Sequence, residues 1–414
     1  MKTAFDAAIV GAGPAGASLA SLLARAGWSV ALIERQTFPR RKVCGECVAA
    51  SNLVLLDSLG IGHTFASRAG AELRRVALMR GRDTIVARLP PGKGVHRWGR
   101  ALGREHLDTV LADAAEAAGA TRLQPWSLQA IAGAAGRFSL RVRPESAGAG
   151  GDVELHAGLV VAAHGSWEPL PSERAERRET RAISDLFAFK ANFRGAVLEA
   201  DLLPVLSFDG GYGGMVVADS GILTLAGCIR ADRLQALRAA RPGARAGDAF
   251  ETMLREECAG VGAALAAATR DGAWLGSGPL RPGVRVGSGD GVFRVGNAAG
   301  EAHPIVGEGI SMALQSAFVL AALIGRERAA LIGPASAPAA QLSAHRIYAA
   351  LWRRRFARRI AVAAGFANIA MRPTLAAAAS PLLRCWPQIL TAGARLSDKT
   401  RCAPEAARSV GAGA

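Results

Sequence analysis

Gly11, Gly13 and Gly16 stand in G-x-G-x-x-G spacing, and a carboxylate, Glu34, follows them. These types and this spacing suit a dinucleotide. Gly11 permits a tight turn, Gly13 lets a pyrophosphate approach the backbone, and Gly16 lets a helix pack closely on a strand. Glu34 falls about 20 residues on, where a ribose hydroxyl needs an acceptor. Three residues qualify for proton chemistry. Glu46 is a carboxylate in a cysteine-bearing loop, His303 either acts as acid or base or caps its turn, and Tyr212 brings a phenol. Cys44 and Cys47 form a C-x-x-C, either a redox dithiol or two wall residues of a pocket. No second Cys/His pair has ligand spacing, so no metal is expected. Glu308 reads as a helix-start carboxylate.

The elements around these residues support the reading. Residues 7–10 form a buried strand. The next helix carries Leu19, Leu22, Leu23 and Ala26 on one face and ends at Gly27. Residues 30–33 form the second strand, completing a βαβ unit. Far along the chain, Val292 to Val295 read as a short strand closed by Gly296-Asn297, and the Pro304 to Gly309 turn opens a long apolar helix. A reduced flavin carries negative charge near N1 and O2, and the free amides of a helix start stabilise it. This second motif therefore favours FAD over NAD.

The pair GAGPAG…E and GNAAGEAHPIVGEGI resembles the FAD-binding signature of the geranylgeranyl reductase family. It is also similar to the wider superfamily of aromatic hydroxylases (group A flavin monooxygenases) and flavin halogenases. Residues 39–47, PRRKVCGEC, resemble the K-x-C-G-x segment that runs beside the flavin in those reductases, and Arg104 matches the arginine of R-x-x-L-D that reaches FAD. The resemblance spans residues 6–325. It implies non-covalent FAD held by Gly11, Gly13, Pro14, Ala15, Gly16, Glu34, Arg35, Arg41, Lys42, Cys44, Gly45, Arg104, Gly296, Asn297, Pro304, Gly307, Gly309 and Ile310. Glu46, His303 and Tyr212 are the catalytic candidates. Two departures stand out. Asn297 replaces the family's Asp, and the stretch from Gly210 to Val217 keeps Tyr212 but lacks the tryptophan and Phe-Pro of the prenyl reductases.

The implied fold is α/β: a Rossmann-like FAD-binding domain of glutathione-reductase type, an interleaved mixed β-sheet substrate domain and a helical C-terminus. Residues 1–70, 100–180 and 275–330 are assigned to the first, 71–99 and 181–274 to the second, and 331–396 to the third, with a disordered tail at 397–414. Strands are expected at 73–79 and 84–89, and a helix at 104–118. A hairpin joins 138–143 to 153–155 through the glycine-rich 146–151 turn, and a buried strand at 159–163 ends in His164-Gly165-Ser166-Trp167. Strands alternate through 186–230, with Phe187, Phe189 and Phe193 on one face, and helices follow at 248–258 and 261–268. Residues 345–364 suit a helix with Trp352, Phe356 and Ile360 in a stripe and Arg354, Arg355, Arg358 and Arg359 elsewhere. Such a helix either packs on the substrate domain or rests on an anionic membrane.

The chain of 414 residues carries a net charge of +16, yet only five of its fifty basic residues are lysine, and the aromatics do not interleave with the arginines to form stacking platforms. That pattern argues against nucleic acid as a partner. Six cysteines make no disulfide framework, and a cytoplasmic setting is expected. Gly287, Gly289 and Gly291 precede a strand, so they are no second dinucleotide site. The electron donor is therefore NAD(P)H bound transiently or a separate reductase. The leading reading is a monooxygenase that uses O2, through a flavin C4a-hydroperoxide, to hydroxylate a lipophilic or aromatic secondary metabolite. The alternative is a reductase of an activated or isoprenoid C=C bond. A halogenase ranks third, because none of the seven tryptophans has the W-x-W partner of that group.

Overall fold

The computed structural model describes residues 2–146, 151–166, 168–171, 182–287, 289–333 and 335–396. Most of the expected 146–151 turn, Trp167 and the 397–414 tail lie outside the described residues.

The fold contains two large sheets. The first is the nucleotide sheet, in the order Thr121–Leu123, Val30–Ile33, Ala4–Val10, Val153–Ala162, Arg137–Pro144, Trp126–Ala134. Its first four strands run parallel, and the last two add an antiparallel meander. Ala4–Val10 is buried almost throughout, as a central parallel strand covered on both faces should be. The expected strands at 153–155 and 159–163 are one continuous strand. Its first half pairs with Arg137–Pro144 and its last two residues, Val161 and Ala162, pair with Phe293–Arg294. This late strand brings the 296–309 loop alongside the glycine turn.

The second sheet runs Thr269–Arg270, Leu186–Arg194, Leu223–Arg230, Gly211–Val217, Leu202–Phe208, Arg75–Arg80, Asp83–Arg88. Leu275–Leu280 also pairs with Leu186–Arg194, so residues 275–280 belong to this sheet and not to the nucleotide domain assigned from the sequence. Period-2 alternation divides Leu186–Arg194 between two environments. Phe189 and Phe193 enter a core with Phe250 and Leu254 of the helix Ala246–Glu257. Ala188, Lys190 and Asn192 occupy the opposite face, toward the nucleotide domain.

The C-terminal part starts with a 35-residue helix, Ala337–Met371. Trp352 and Phe356 are fully buried and Ile360 is 7% exposed, all within the nucleotide-domain core. The stripe is therefore core, as in the packed reading, but it packs within the nucleotide domain and not on the substrate domain. Each such large side chain contributes about 1.5–3 kcal/mol by leaving water. The helix ends at Arg372, because Pro373 disfavours helical backbone in the residue before it. The helix Pro373–Cys385 then leaves at 99°, and Gln388–Leu396 follows it. No single helix among the described residues is long and apolar enough to cross a membrane.

Candidate active site

The three glycines do three different jobs. Gly11 has φ +105°, and a Cβ there would sit 2.6 Å from the Ala163 carbonyl oxygen. At Gly16 a Cβ would sit 1.8 Å from the Gly11 carbonyl oxygen, so only glycine lets the helix Pro14–Arg25 pack there. A Cβ at Gly13 would meet only Arg104 Nη2, at 3.6 Å, and Gly13 faces a cavity. No side chain caps the helix at this end, so its first amides are available to a phosphate.

Glu34 is buried and fixed by the backbone. Ala12 N donates to its Oε2 at 2.9 Å and Gln36 N to its Oε1 at 2.8 Å. The cation beside it is Arg40, 3.7 Å from Glu34 and 3.6 Å from Asp108. Sequence reasoning chose Arg35 and Arg41 instead, and both choices are corrected. Arg35 is exposed. Arg41 reaches a separate surface cleft, where it donates to Asp271 Oδ2 at 2.8 Å and Glu105 Oε1 at 3.0 Å. Arg104 is buried and donates two hydrogen bonds to Asp108, at 2.6 and 2.7 Å, which hold its guanidinium against Gly13.

A cavity of about 510 Å³ extends from this turn. Gly13, Pro14, Ala15, Lys42, Cys44, Gly45, Glu46, Arg104, Tyr212, Gly296, Asn297, Pro304, Gly307, Gly309 and Ile310 line it, so most of the sequence-chosen site converges on one space. Gly11, Gly16 and Glu34 support the turn from outside the wall. Burial, reinforced by Arg104 and Arg40, pushes the Lys42 ammonium below its usual range. At the far side of the cradle the helix Gly309–Ile324 begins without a side-chain cap and presents its first amides. Gly307 supplies the left-handed residue, φ +65°, that turns the chain into this helix.

Asn297 is oriented by residues the sequence did not flag. Its Nδ2 donates to Ser166 Oγ at 2.9 Å and lies 3.3 Å from Glu301 Oε1, while the Ser166 hydroxyl donates to Glu301 at 2.7 Å. With the amide nitrogen held, the Asn297 side-chain oxygen is left as an acceptor for a hydroxyl. Glu301 could have been suspected only from its four-residue spacing to Asn297.

Glu46 departs from its expected role. It is 1% exposed and its backbone is left-handed, φ +59°. Its carboxylate pairs with the fully buried Lys190, accepts the Thr224 hydroxyl, and accepts Arg104 N at 2.9 Å. Three donors hold this carboxylate in place as an acceptor. It fastens the 44–47 loop to the second sheet. Cys44 and Cys47 lie on the same wall, and Cys44 Sγ accepts Glu46 N at 3.3 Å.

Proton chemistry converges elsewhere. The Tyr212 hydroxyl shares a 3.1 Å hydrogen bond with His303 Nδ1 and is also hydrogen-bonded with Cys228. Tyr212 is on the cavity wall, and His303 stands beside it at the entry to the 304–309 turn. Burial and the neighbouring Cys228 push the Tyr212 phenol well above its usual range. Burial lifts the Cys228 thiol to about 12 and pushes His303 below 6.5. All three groups are therefore neutral near pH 7.

Uncapped helix starts at both ends of the cradle, an open Cβ position at Gly13 and a free oxygen on Asn297 fit FAD. Set against a mixed sheet across an apolar cavity, they define an FAD-dependent oxidoreductase. The chain belongs to the FAD binding domain family, whose model matches residues 4–219. It is 28% identical to a menaquinone reductase of Mycobacterium tuberculosis over 342 residues, covering 80% of this chain and 78% of that protein. A kynurenine 3-monooxygenase of Xanthomonas oryzae pv. oryzae is 37% identical over 122 residues, 27% of this chain and 26% of that protein. Among solved structures, a myxobacterial chondrochloren halogenase superposes with TM-score 0.69 at 20% identity, over 84% of this chain and 79% of that one. A geranylgeranyl bacteriochlorophyll reductase-like protein from Thermoplasma acidophilum superposes with TM-score 0.66 at 18% identity, over 100% and 97%. These structural likenesses establish the shared fold.

Proposed function

We propose that this protein reduces a carbon–carbon double bond in a long lipophilic substrate, of isoprenoid or isoprenoid-bearing type. The observation that carries the reading is the cavity itself. It begins at the flavin cradle beside Tyr212 and continues along apolar wall residues to Ile369, Leu383 and Leu390 of the C-terminal helices. The similarity to a menaquinone reductase along most of the chain supports a substrate of this class.

FAD, when bound, supplies two-electron hydride chemistry. Gly13, Ala15, Glu34 and Arg104 would hold its nucleotide half. Asn297 and the backbone of Gly307 to Ile310 would hold the flavin half. Saturating a double bond needs one hydride and one proton. Tyr212 provides the proton, and its raised pKa keeps the phenol loaded. His303, neutral near pH 7, relays a solvent proton to the phenolate: Nε2 takes one up as Nδ1 gives one through the 3.1 Å hydrogen bond. The apolar wall keeps water from the reacting carbon. The electron donor is NAD(P)H or a separate reductase that docks transiently.

A second reading, hydroxylation with O2, is favoured by the missing tryptophan and Phe-Pro around Tyr212 and by the shorter similarity to a kynurenine monooxygenase. Turnover of an isoprenoid quinone without oxygen separates the two. The reductase forms a product heavier by two hydrogens anaerobically, and Tyr212→Phe lowers that rate by roughly 10²–10⁴ with FAD still bound. Product that forms only with O2 and gains one labelled oxygen atom assigns the hydroxylase.

A further inference from the structure

We infer that the outer face of the last two helices docks on an anionic lipid bilayer and sets the mouth of the cavity against it. In Pro373–Cys385 and Gln388–Leu396 the inner faces line the cavity. Leu375 (42%), Trp386 (58%) and Leu396 (55%) point to solvent instead, within 22 residues of chain. Leu382 and Ile389 both line the cavity and are exposed, which puts its opening between the two helices. An apolar patch at a cavity mouth marks a contact surface rather than scattered surface leucines.

The charge selects the occupant. Residues 328–397 contain ten arginines and no aspartate or glutamate. Arg372 and Arg395, next to the patch, are exposed. Apolar side chains that enter the acyl boundary, tryptophan at headgroup level and arginines reaching phosphate are the features of a helix lying in the interface plane. Residues 397–414 offer one large aliphatic side chain, Val410, which is too little to cover the patch. The docking itself rests on the surface alone. Entry of substrate from the bilayer through this mouth rests on the function proposed above.

The test is flotation of the FAD-loaded protein with vesicles, which needs no turnover. Wild type is expected to float with vesicles containing phosphatidylglycerol and far less with pure phosphatidylcholine. The triple variant Leu375→Ser/Trp386→Ser/Leu396→Ser is expected to bind roughly tenfold or more weakly, with its FAD content unchanged. Wild type that stays in the lower fraction with anionic vesicles overturns the inference. So does a triple variant that floats equally well. So does a wild-type dimer that the triple substitution converts to a monomer, because the patch is then covered by a second copy of the chain.

Discussion

Asn297 shows how one residue is chosen by its neighbours. The related family places Asp at this position, and an aspartate would also offer the acceptor oxygen. In this chain, however, Glu301 Oε1 lies 3.3 Å from the side-chain nitrogen, so an aspartate would bring two carboxylates together. Asn297→Asp is therefore expected to weaken FAD binding by about 1–3 kcal/mol, read by flavin fluorescence. Adding Glu301→Gln should recover most of the loss. Tighter binding in the single variant would show that Glu301 is not the reason for the asparagine. The glycines allow a second contrast. Gly13→Val should fold normally and lose FAD, since its side chain would enter only the cavity. Gly16→Ala should lower the melting temperature of the apoprotein, because its Cβ strikes backbone. Both roles were readable from the spacing, since a tight turn and a close helix approach are local demands. The choice of Arg40 over Arg41 was not, because a loop has no period to say which of two adjacent arginines turns inward.

At the level of elements, the 44–47 loop and the strand Leu186–Arg194 are joined by a contact the sequence hides. Alternation placed Phe187, Phe189 and Phe193 together, and thereby Lys190 on the other face. It did not say that Lys190 would meet a carboxylate 144 residues away. A lysine and a glutamate that are both fully buried are costly to separate. Lys190→Met should destabilise the fold by about 3–5 kcal/mol in denaturant unfolding, and adding Glu46→Gln should return much of it. A loss below about 1 kcal/mol in the single variant would mean that the pair does not hold the loop. The same limit appears in the strand Val153–Ala162. Its interior Ala157-Gly158 reads as a break, and only pairing on both sides makes it one strand. The helix Ala337–Met371 was legible through its buried stripe, whereas its full length was not, since alanine-rich flanks carry no face.

For the molecule as a whole, burial of histidine sets a pH dependence. His303 and His345 are both pushed below 6.5, chiefly by burial. Between 6.5 and their folded values the unfolded chain binds more protons, so stability is full above pH 6.5 and falls as pH drops below it. A second loss follows at lower pH. Asp201 is held below 3.8 by Arg75, and Glu251, although burial pushes it up, is held below 4.5 by hydrogen bonds from Trp274, Arg255 and Arg270. Their stabilisation disappears as they are protonated. Denaturant midpoints measured across pH should decline in these two stages, and a flat profile from pH 7 to 5 would contradict the first.

The position of Phe293–Arg294 has a consequence for biosynthesis. This short strand completes the nucleotide sheet beside Val161 and Ala162, yet it leaves the ribosome more than a hundred residues after them. In between, the chain must produce most of the second sheet. The end of Val153–Ala162 therefore waits, with Val161 and Ala162 open on one side, for a partner that closes it late. Distant pairings of this kind fold slowly and leave an edge exposed to aggregation. Expression at reduced temperature or with added chaperone should raise the yield of native protein, and fragments that stop before residue 293 should accumulate in the insoluble fraction.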